Sequence, residues 1–278
     1  MMSLTCQSLS LTYGKGVVIE RLSFALNPAS ITVLLGSNGC GKSTLLRGLA
    51  GLLKPITGHV ALEGCPLSQW PRKKLARRIA FLRQVQETPE GLTVEELVRH
   101  GRFPYRSLWG RECREDRVAV AWALRVTDLF GARERSLNTL SGGERQRAWI
   151  AMALAQKADI LILDEPTTYL DLGHQLEIMQ LLRDLNIEYG LTLIMSLHDL
   201  NQAIRFSHRA LVLQRGRLLA DGVPATILEP VLLRQVFQIR ASLIEGAADG
   251  LPICHLDGPV EQGAGKSLSR ERIGDVAC

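Results

Sequence analysis

The chain has 278 residues, 46% hydrophobic and 22% charged, with a formal net charge of +5. This composition excludes a disordered or fibrous protein and suits one large globular domain or two small ones, and the mild basicity marks a solvated surface more than any partner. No run of about 18 apolar residues occurs, residues 1–7 lack a basic stretch followed by an apolar one, and the cysteines at 6, 40, 65, 113, 254 and 278 form no C-x-x-C pair or zinc-spaced cluster; neither a membrane span, a secretion signal nor a disulfide framework is expected.

Residues 3–13 and 17–27 alternate polar and apolar positions around Gly14-Lys15-Gly16, which predicts a hairpin. Tyr13 closes its first strand, either as a sheet aromatic or as a flat platform on which a purine stacks. Ile31-Thr32-Val33-Leu34-Leu35 predicts a short buried strand. Next come Gly36-Ser37-Asn38-Gly39-Cys40-Gly41-Lys42-Ser43-Thr44, which fit G-x-x-x-x-G-K-[ST], and then Leu45, Leu46, Leu49 and Leu52 at helical spacing. Strand, glycine loop and helix are the setting a phosphate-binding loop needs. The glycines let backbone N–H groups converge on an anion, and the helix N-terminus adds the positive end of its dipole. Lys42 is expected on the β- and γ-phosphates of a nucleotide and Ser43 on Mg²⁺. Cys40 lies where a helix N-terminus lowers a thiol pKa, or is simply a small residue the loop tolerates.

After Lys54-Pro55, residues 58–63 predict a strand, 71–78 the start of a basic helix, and Ile79-Ala80-Phe81-Leu82 a strand that ends at Arg83-Gln84. The pattern then changes: residues 85–156 are helical with almost no strand signal, which predicts an inserted helical subdomain. Within it Thr93-Val94-Glu95-Glu96 reads as a capping box. Val118, Ala121, Trp122, Val126 and Leu129 predict one buried stripe. Ser141 predicts an N-cap before Gly142-Gly143-Glu144, a second helix start fit to receive an anion, with Ala148, Ala151, Met152 and Ala155 behind it.

Ile160-Leu161-Ile162-Leu163 predicts a buried parallel strand ending in Asp164-Glu165, the edge where α/β sheets carry their sites. Asp164 fits a residue holding Mg²⁺ through water, and Glu165 a base that polarises an attacking water. A helix over about 172–188 and a strand over 191–195 follow. The strand leads to His198, whose place beside a nucleotide sheet points to function. Residues 210–213 and 217–220 bracket a hairpin turn, and two short helices run to about 237. Beyond residue 245 the chain predicts a tail that frays or adds small edge strands.

Together these residues resemble the ATP-binding cassette (ABC) ATPases over about residues 3–245. Gly36 to Thr44 stand as Walker A, Gln84 as the Q-loop, and Leu140 to Gln146 as the signature motif, with Glu144 where glutamine is usual. Ile160 to Glu165 stand as Walker B, Leu170-Asp171 as the D-loop and His198 as the switch histidine. The resemblance implies an α/β P-loop NTPase fold within residues 1–245. Its parts are a RecA-like core, an N-terminal antiparallel β subdomain and the helical subdomain inserted at about 85–156. Residues 246–278 are left as a flexible C-terminal tail. It also implies ATP and Mg²⁺ as ligands, with Tyr13 on adenine and Ser43, Gln84 and Asp164 around the metal. Glu165 would orient the attacking water, with Lys42 and His198 on the γ-phosphate. Two copies would pack head to tail, each ATP lying between Walker A of one and Ser141, Gly142, Gly143 and Glu144 of the other, with Asp171 nearby.

Finer stretches are similar to the ATPase subunits of bacterial importers for iron(III)-siderophores, ferric citrate, haem and cobalamin. They include Gly101-Arg102-Phe103-Pro104, Gln146-Arg147-Ala148-Trp149-Ile150-Ala151, Glu165-Pro166-Thr167-Thr168-Tyr169-Leu170-Asp171 and Leu197-His198-Asp199-Leu200-Asn201. Arg83 departs from the usual proline before the Q-loop glutamine, and Ser37 and Ser196 are minor departures. The implied partners are two integral-membrane permease subunits and, indirectly, a substrate-binding protein, with no nucleic acid. The implied place is the cytoplasmic face of the bacterial inner membrane. The rival reading is a soluble, non-transport ABC ATPase of the iron–sulfur assembly type; a repair-type ATPase would need heptads that residues 85–156 lack.

Overall fold

The computed structural model describes residues 3–14, 16–84, 91–106, 113–246 and 250–260. The ring of Tyr13, Lys15 and the chain beyond residue 260 lie outside the described residues. The chain opens with the expected hairpin, β1 (Leu4–Tyr13) and β2 (Gly16–Leu26), followed by β3 (Ile31–Leu35), α1 (Lys42–Leu49), β4 (Thr57–Leu62), β5 (Cys65–Pro66), α2 (Arg72–Ala76) and β6 (Ile79–Leu82). Three helices come next, α3 (Val94–His100), α4 (Arg114–Val126) and α5 (Gly142–Ala155). The second half alternates β7 (Ile160–Leu163), α6 (Leu172–Tyr189), β8 (Thr192–Ser196), α7 (Leu200–Phe206), β9 (Arg209–Gln214) and β10 (Arg217–Gly222). It ends in α8 (Pro224–Ile227), α9 (Pro230–Phe237), β11 (Ile239–Glu245) and β12 (Pro252–Pro259).

Two sheets carry the architecture. The larger has the order β10-β9-β3-β8-β7-β6 and is parallel except for β10. The smaller, β2-β1-β4-β5, is antiparallel. Side chains alternate across a strand, and β3 divides accordingly: Ile31, Val33 and Leu35 face one core, Leu34 the other. β7 and β8 divide in the same way, with Leu161, Leu163, Leu193 and Met195 against Ile160, Ile162 and Ile194. One core holds α3 to α7, and the other holds α1 and the antiparallel sheet. A strand buried on both faces must be apolar throughout, which is why these runs are unbroken. The C-terminal ends of β3, β8 and β7 come side by side in that order, β3 leading into Gly36-Ser37, β8 ending on Ser196 and β7 leading into Asp164-Glu165.

Two expectations need correction. Leu52 does not belong to the face of α1; the helix ends at Leu49 and Leu52 is exposed. In α4 the buried face is Ala119, Val120, Ala123 and Leu124, while Val118 is 61% exposed. Small alanines let α4 lie close on α5, so the close-packed face wins over the larger side chains. Trp122 is left at the rim, edge-on to Tyr189 with ring centroids 5.2 Å apart and with the Lys157 ammonium over its face. Ordered edge strands are also present after α9: β11 and β12 pair, the Cys254 side chain is buried in the larger core, and its backbone exchanges hydrogen bonds with the Asn201 side chain. The boundary expected at residue 245 coincides with the end of β11.

The helical region is braced where it meets the sheet. Arg102 is buried, with Nε donating to Asp116 Oδ1 at 2.8 Å and Nη1 to the Ala155 carbonyl at 2.8 Å. The second bond satisfies an orphan carbonyl at the C-terminus of α5. Burial alone would raise the Asp116 pKa, but the bonds from Arg102 and Cys113 outweigh it and hold the carboxyl below its usual range. α5 is thereby fixed at the end far from Ser141.

Candidate nucleotide site

The loop after β3 is shaped for an anion before any ligand arrives. Gly36 has φ 148°, and a Cβ there would come within 2.3 Å of the Leu213 carbonyl oxygen and 2.7 Å of Cys40 Sγ. Only glycine lets the loop lie this close to β9. The Cys40 N–H donates to the Ser37 carbonyl, and the Gly216 N–H donates to the Cys40 carbonyl, so the hairpin β9–β10 grips the loop from behind. Ser37, Asn38 and Gly39 form its exposed tip, while Cys40, Gly41 and Lys42 are buried and Ser43 and Thr44 half-buried. Gly41 caps α1 with no side-chain bond, which leaves the helix N-terminus open.

Lys42 folds back over the loop, its ammonium donating to the carbonyls of Gly36 at 2.8 Å and Ser37 at 3.4 Å. Ser43 Oγ donates to Asp164 Oδ1 at 3.0 Å, joining the start of α1 to the end of β7. Asp164 is 3% exposed. Beside it Glu165, with φ 51°, receives Gln84 Nε2 at 2.5 Å and Thr168 Oγ1 at 3.0 Å on Oε2. His198 Nε2 lies 2.6 Å from its other oxygen. The fold thus brings Lys42, Ser43, Gln84, Asp164, Glu165 and His198 into one cluster on the C-terminal edge of the sheet. The oxygens of Ser43, Asp164 and Gln84 are hard donors of the kind Mg²⁺ takes. Among the described residues no group of three or more His, Cys, Asp or Glu side chains could hold a metal ion.

Cys40 is buried, and that desolvation pushes its thiol pKa up; the nearby Lys42 charge opposes the shift without reversing it. Burial and the raised thiol pKa favour the small-residue reading over the reactive one. Iodoacetamide should leave Cys40 and Cys6 unmodified in the folded protein over a period that alkylates the exposed Cys113, as read by peptide mass mapping. Equal labelling of Cys40 and Cys113 would overturn this.

The second cradle is built as its sequence suggests, but elsewhere. Ser141 Oγ accepts the Glu144 N–H at 3.1 Å and the Glu144 carboxylate accepts the Ser141 N–H at 2.8 Å. That bond from the Ser141 N–H, with Arg135 at 2.9 Å, holds the Glu144 carboxyl below its usual range despite partial burial. The His174 ring packs on Gly143, where a Cβ would lie 2.1 Å from its Cδ2. Asp171 caps α6, accepting the His174 N–H at 2.9 Å and lying 2.8 Å from His174 Nδ1. Among the described residues no hydrogen bond or ion pair joins Ser141, Gly142, Gly143, Glu144 or Asp171 to the loop at 36–44. Ser141 and Gly142 are exposed, as are the nearby apolar Tyr169, Leu172 and Leu176.

Sequence reasoning left three residues without a role. Thr168 donates to Glu165, His174 covers Gly143, and Ser196 bonds both Asp164 and the Glu165 backbone. Ser196 carried a signal of the same kind as Asp164: a polar residue at the end of an apolar run.

A family model described as ABC transporter matches residues 19–168. The chain is 46% identical over 254 residues to the iron(3+)-hydroxamate import ATP-binding protein of Bacillus subtilis (strain 168), spanning 91% of this chain and 94% of that one. It is 44% identical over 247 residues to the ferric enterobactin transport ATP-binding protein of Escherichia coli (strain K12), spanning 89% and 91%. Among solved structures, an inward-facing metal-chelate type ABC transporter superposes with a TM-score of 0.81 at 28% identity, over 94% of this chain and 99% of that chain. With a phosphate-binding loop, a buried strand ending in two carboxylates and a capped Ser-Gly-Gly helix start in one α/β fold, the chain belongs to the ABC transporter family, as one of its ATP-binding cassette ATPases.

Proposed function

We propose that this chain is the ATP-hydrolysing subunit of a bacterial importer that takes up an iron(III)-siderophore or related iron chelate. The observation that carries the reading is identity of 41–46% over most of the chain to subunits named for hydroxamate, siderophore, enterobactin, petrobactin and achromobactin transport. A haem-import relative stands lower, at 37%, level with a further petrobactin-import relative. Among the described residues no helix is long and apolar enough to cross a membrane. On this reading the subunit acts on a bilayer through others: two permease subunits and, indirectly, a substrate-binding protein. Its place is peripheral, on the cytoplasmic face of the inner membrane.

Two copies work head to tail. The separation of the Ser141 cradle from the loop at 36–44 supports this, because each anion-binding helix start lacks the other within one chain. The exposed apolar Tyr169, Leu172 and Leu176 beside Ser141 suit a surface that a second copy covers. ATP binds with Lys42 moving from its own loop carbonyls to the phosphates, and Tyr13 takes the adenine. Ser43, Asp164 and Gln84 would hold Mg²⁺, which when bound would neutralise phosphate charge. Phosphoryl transfer is catalysed mainly by positioning and electrostatics. Glu165 accepts the proton of the attacking water once Gln84 and His198 release it, and His198 turns to the γ-phosphate.

The reading is tested by reconstituting the chain with its permease in liposomes. Uptake is measured for ferric hydroxamate, ferric catecholate, haem and cobalamin, each presented on the cognate binding protein. ATP-dependent uptake of a ferric siderophore is expected. Uptake of haem or cobalamin alone would replace the substrate class, and a soluble ATPase that joins no permease would overturn the transport role.

A further inference from the structure

We infer that Ser196 is a positioning residue that ties the carboxylate of Asp164 to the backbone of Glu165. The inference rests on the proposed roles of those two acidic residues. Parallel pairing sets Leu163 opposite Met195, which brings the next residues of the two strands, Asp164 and Ser196, alongside one another. Ser196 is 0% exposed. Its hydroxyl donates to Asp164 Oδ1 at 2.9 Å and accepts the Glu165 N–H at 2.9 Å, so its donor and an acceptor are both committed. The same Asp164 oxygen receives Ser43 Oγ, so two hydroxyls fix one carboxylate oxygen.

The backbone explains why such a bond is needed. The Asp164 N–H still donates to the Leu82 carbonyl of β6, so the ladder runs that far. One residue later the chain turns into the left-handed region at Glu165, φ 51°. A non-glycine residue there is strained and persists only when its surroundings hold it. The Glu165 N–H has left the strand ladder and ends on the Ser196 hydroxyl. Burial gives no reason for a serine at the end of β8: Leu193, Ile194 and Met195 before it are wholly buried and apolar, and a buried hydroxyl is costly unless it is bonded. What the hydroxyl adds is a fixed relation between the group that faces the metal and the group that faces the water.

The test compares Ser196→Ala and Ser196→Thr with the native protein, each checked for Tm. In nucleotide-free Ser196→Ala the Glu165 amide should exchange its hydrogen about tenfold faster, as expected for loss of one buried hydrogen bond. The kcat should fall about tenfold and the Mg²⁺ concentration for half-maximal hydrolysis should rise, while ATP affinity in EDTA stays unchanged. Ser196→Thr keeps the hydroxyl and should restore both the slow exchange and the Mg²⁺ dependence. Native exchange and native Mg²⁺ dependence in Ser196→Ala would overturn the inference. Equal losses in both variants with a lowered Tm would also overturn it, by reducing Ser196 to packing. Glu165→Gln, run in parallel, separates the two levels: if it still turns over, the assignment of Glu165 fails; if it is inactive while Ser196→Ala is native, only the role of Ser196 fails.

Discussion

Glu165→Gln should lower steady-state ATP hydrolysis by about 10²–10⁴-fold, the usual contribution of a positioned base, with ATP binding retained. The amide matches the carboxylate in size and can still meet the Thr168 hydroxyl, so the turn after β7 should survive. What it loses is the ability to take a proton from water. It also loses the charge that draws Gln84 and His198 onto this residue in the nucleotide-free protein. Bound ATP should then persist, and with it any dimer that ATP closes. Turnover assays give the first result, and size-exclusion chromatography with and without ATP gives the second. Hydrolysis at the native rate would remove Glu165 from its proposed role.

Mixed dimers of Lys42→Ala and Ser141→Arg should show that each site is built from two chains. Both substitutions are expected to be severe: one removes the phosphate-binding ammonium, the other puts a bulky cation on an exposed anion cradle. Ser141→Arg also costs about 1 kcal/mol of capping, too little to unfold the domain. In a shared-site dimer, one chain carrying Lys42→Ala and its partner carrying Ser141→Arg leave one site wholly native. A doubly substituted chain paired with a native one damages both sites. Sites confined to single chains give the reverse order, because the native chain of the second pair is then intact. Differently tagged copies, co-expressed and purified through both tags, supply the two dimers. Higher hydrolysis by the doubly substituted pairing would sink the shared-site arrangement.

The parts of the site that were legible in the sequence are those made by consecutive residues. β3, the loop at 36–44 and α1 follow one another, so periodicity and glycine spacing announce them. Asp164 and Glu165 are read from the apolar run before them, and the Ser141 cap from the two glycines and the small-residue helical face that follow it. Contacts set by sheet order were not legible. Ser196 meets Asp164 only because β8 lies next to β7, and nothing local in the sequence states that order. The face of α4 was missed for a related reason: apolar periodicity favours Val118 and Trp122, whereas packing on α5 selects Ala119 and Ala123. For the tail the sequence left fraying and small edge strands as alternatives, because the strands of the β11–β12 hairpin are largely exposed and an anchor such as Cys254 with Asn201 joins residues far apart in sequence.

The carboxylate of Glu165 has Gln84 and Thr168 on one oxygen and His198 on the other. On the proposed assignment, a base with both oxygens engaged can meet a water only after one of these contacts yields. The three contacts are thus a latch on the machine, and whatever loosens Gln84 or His198 turns the key.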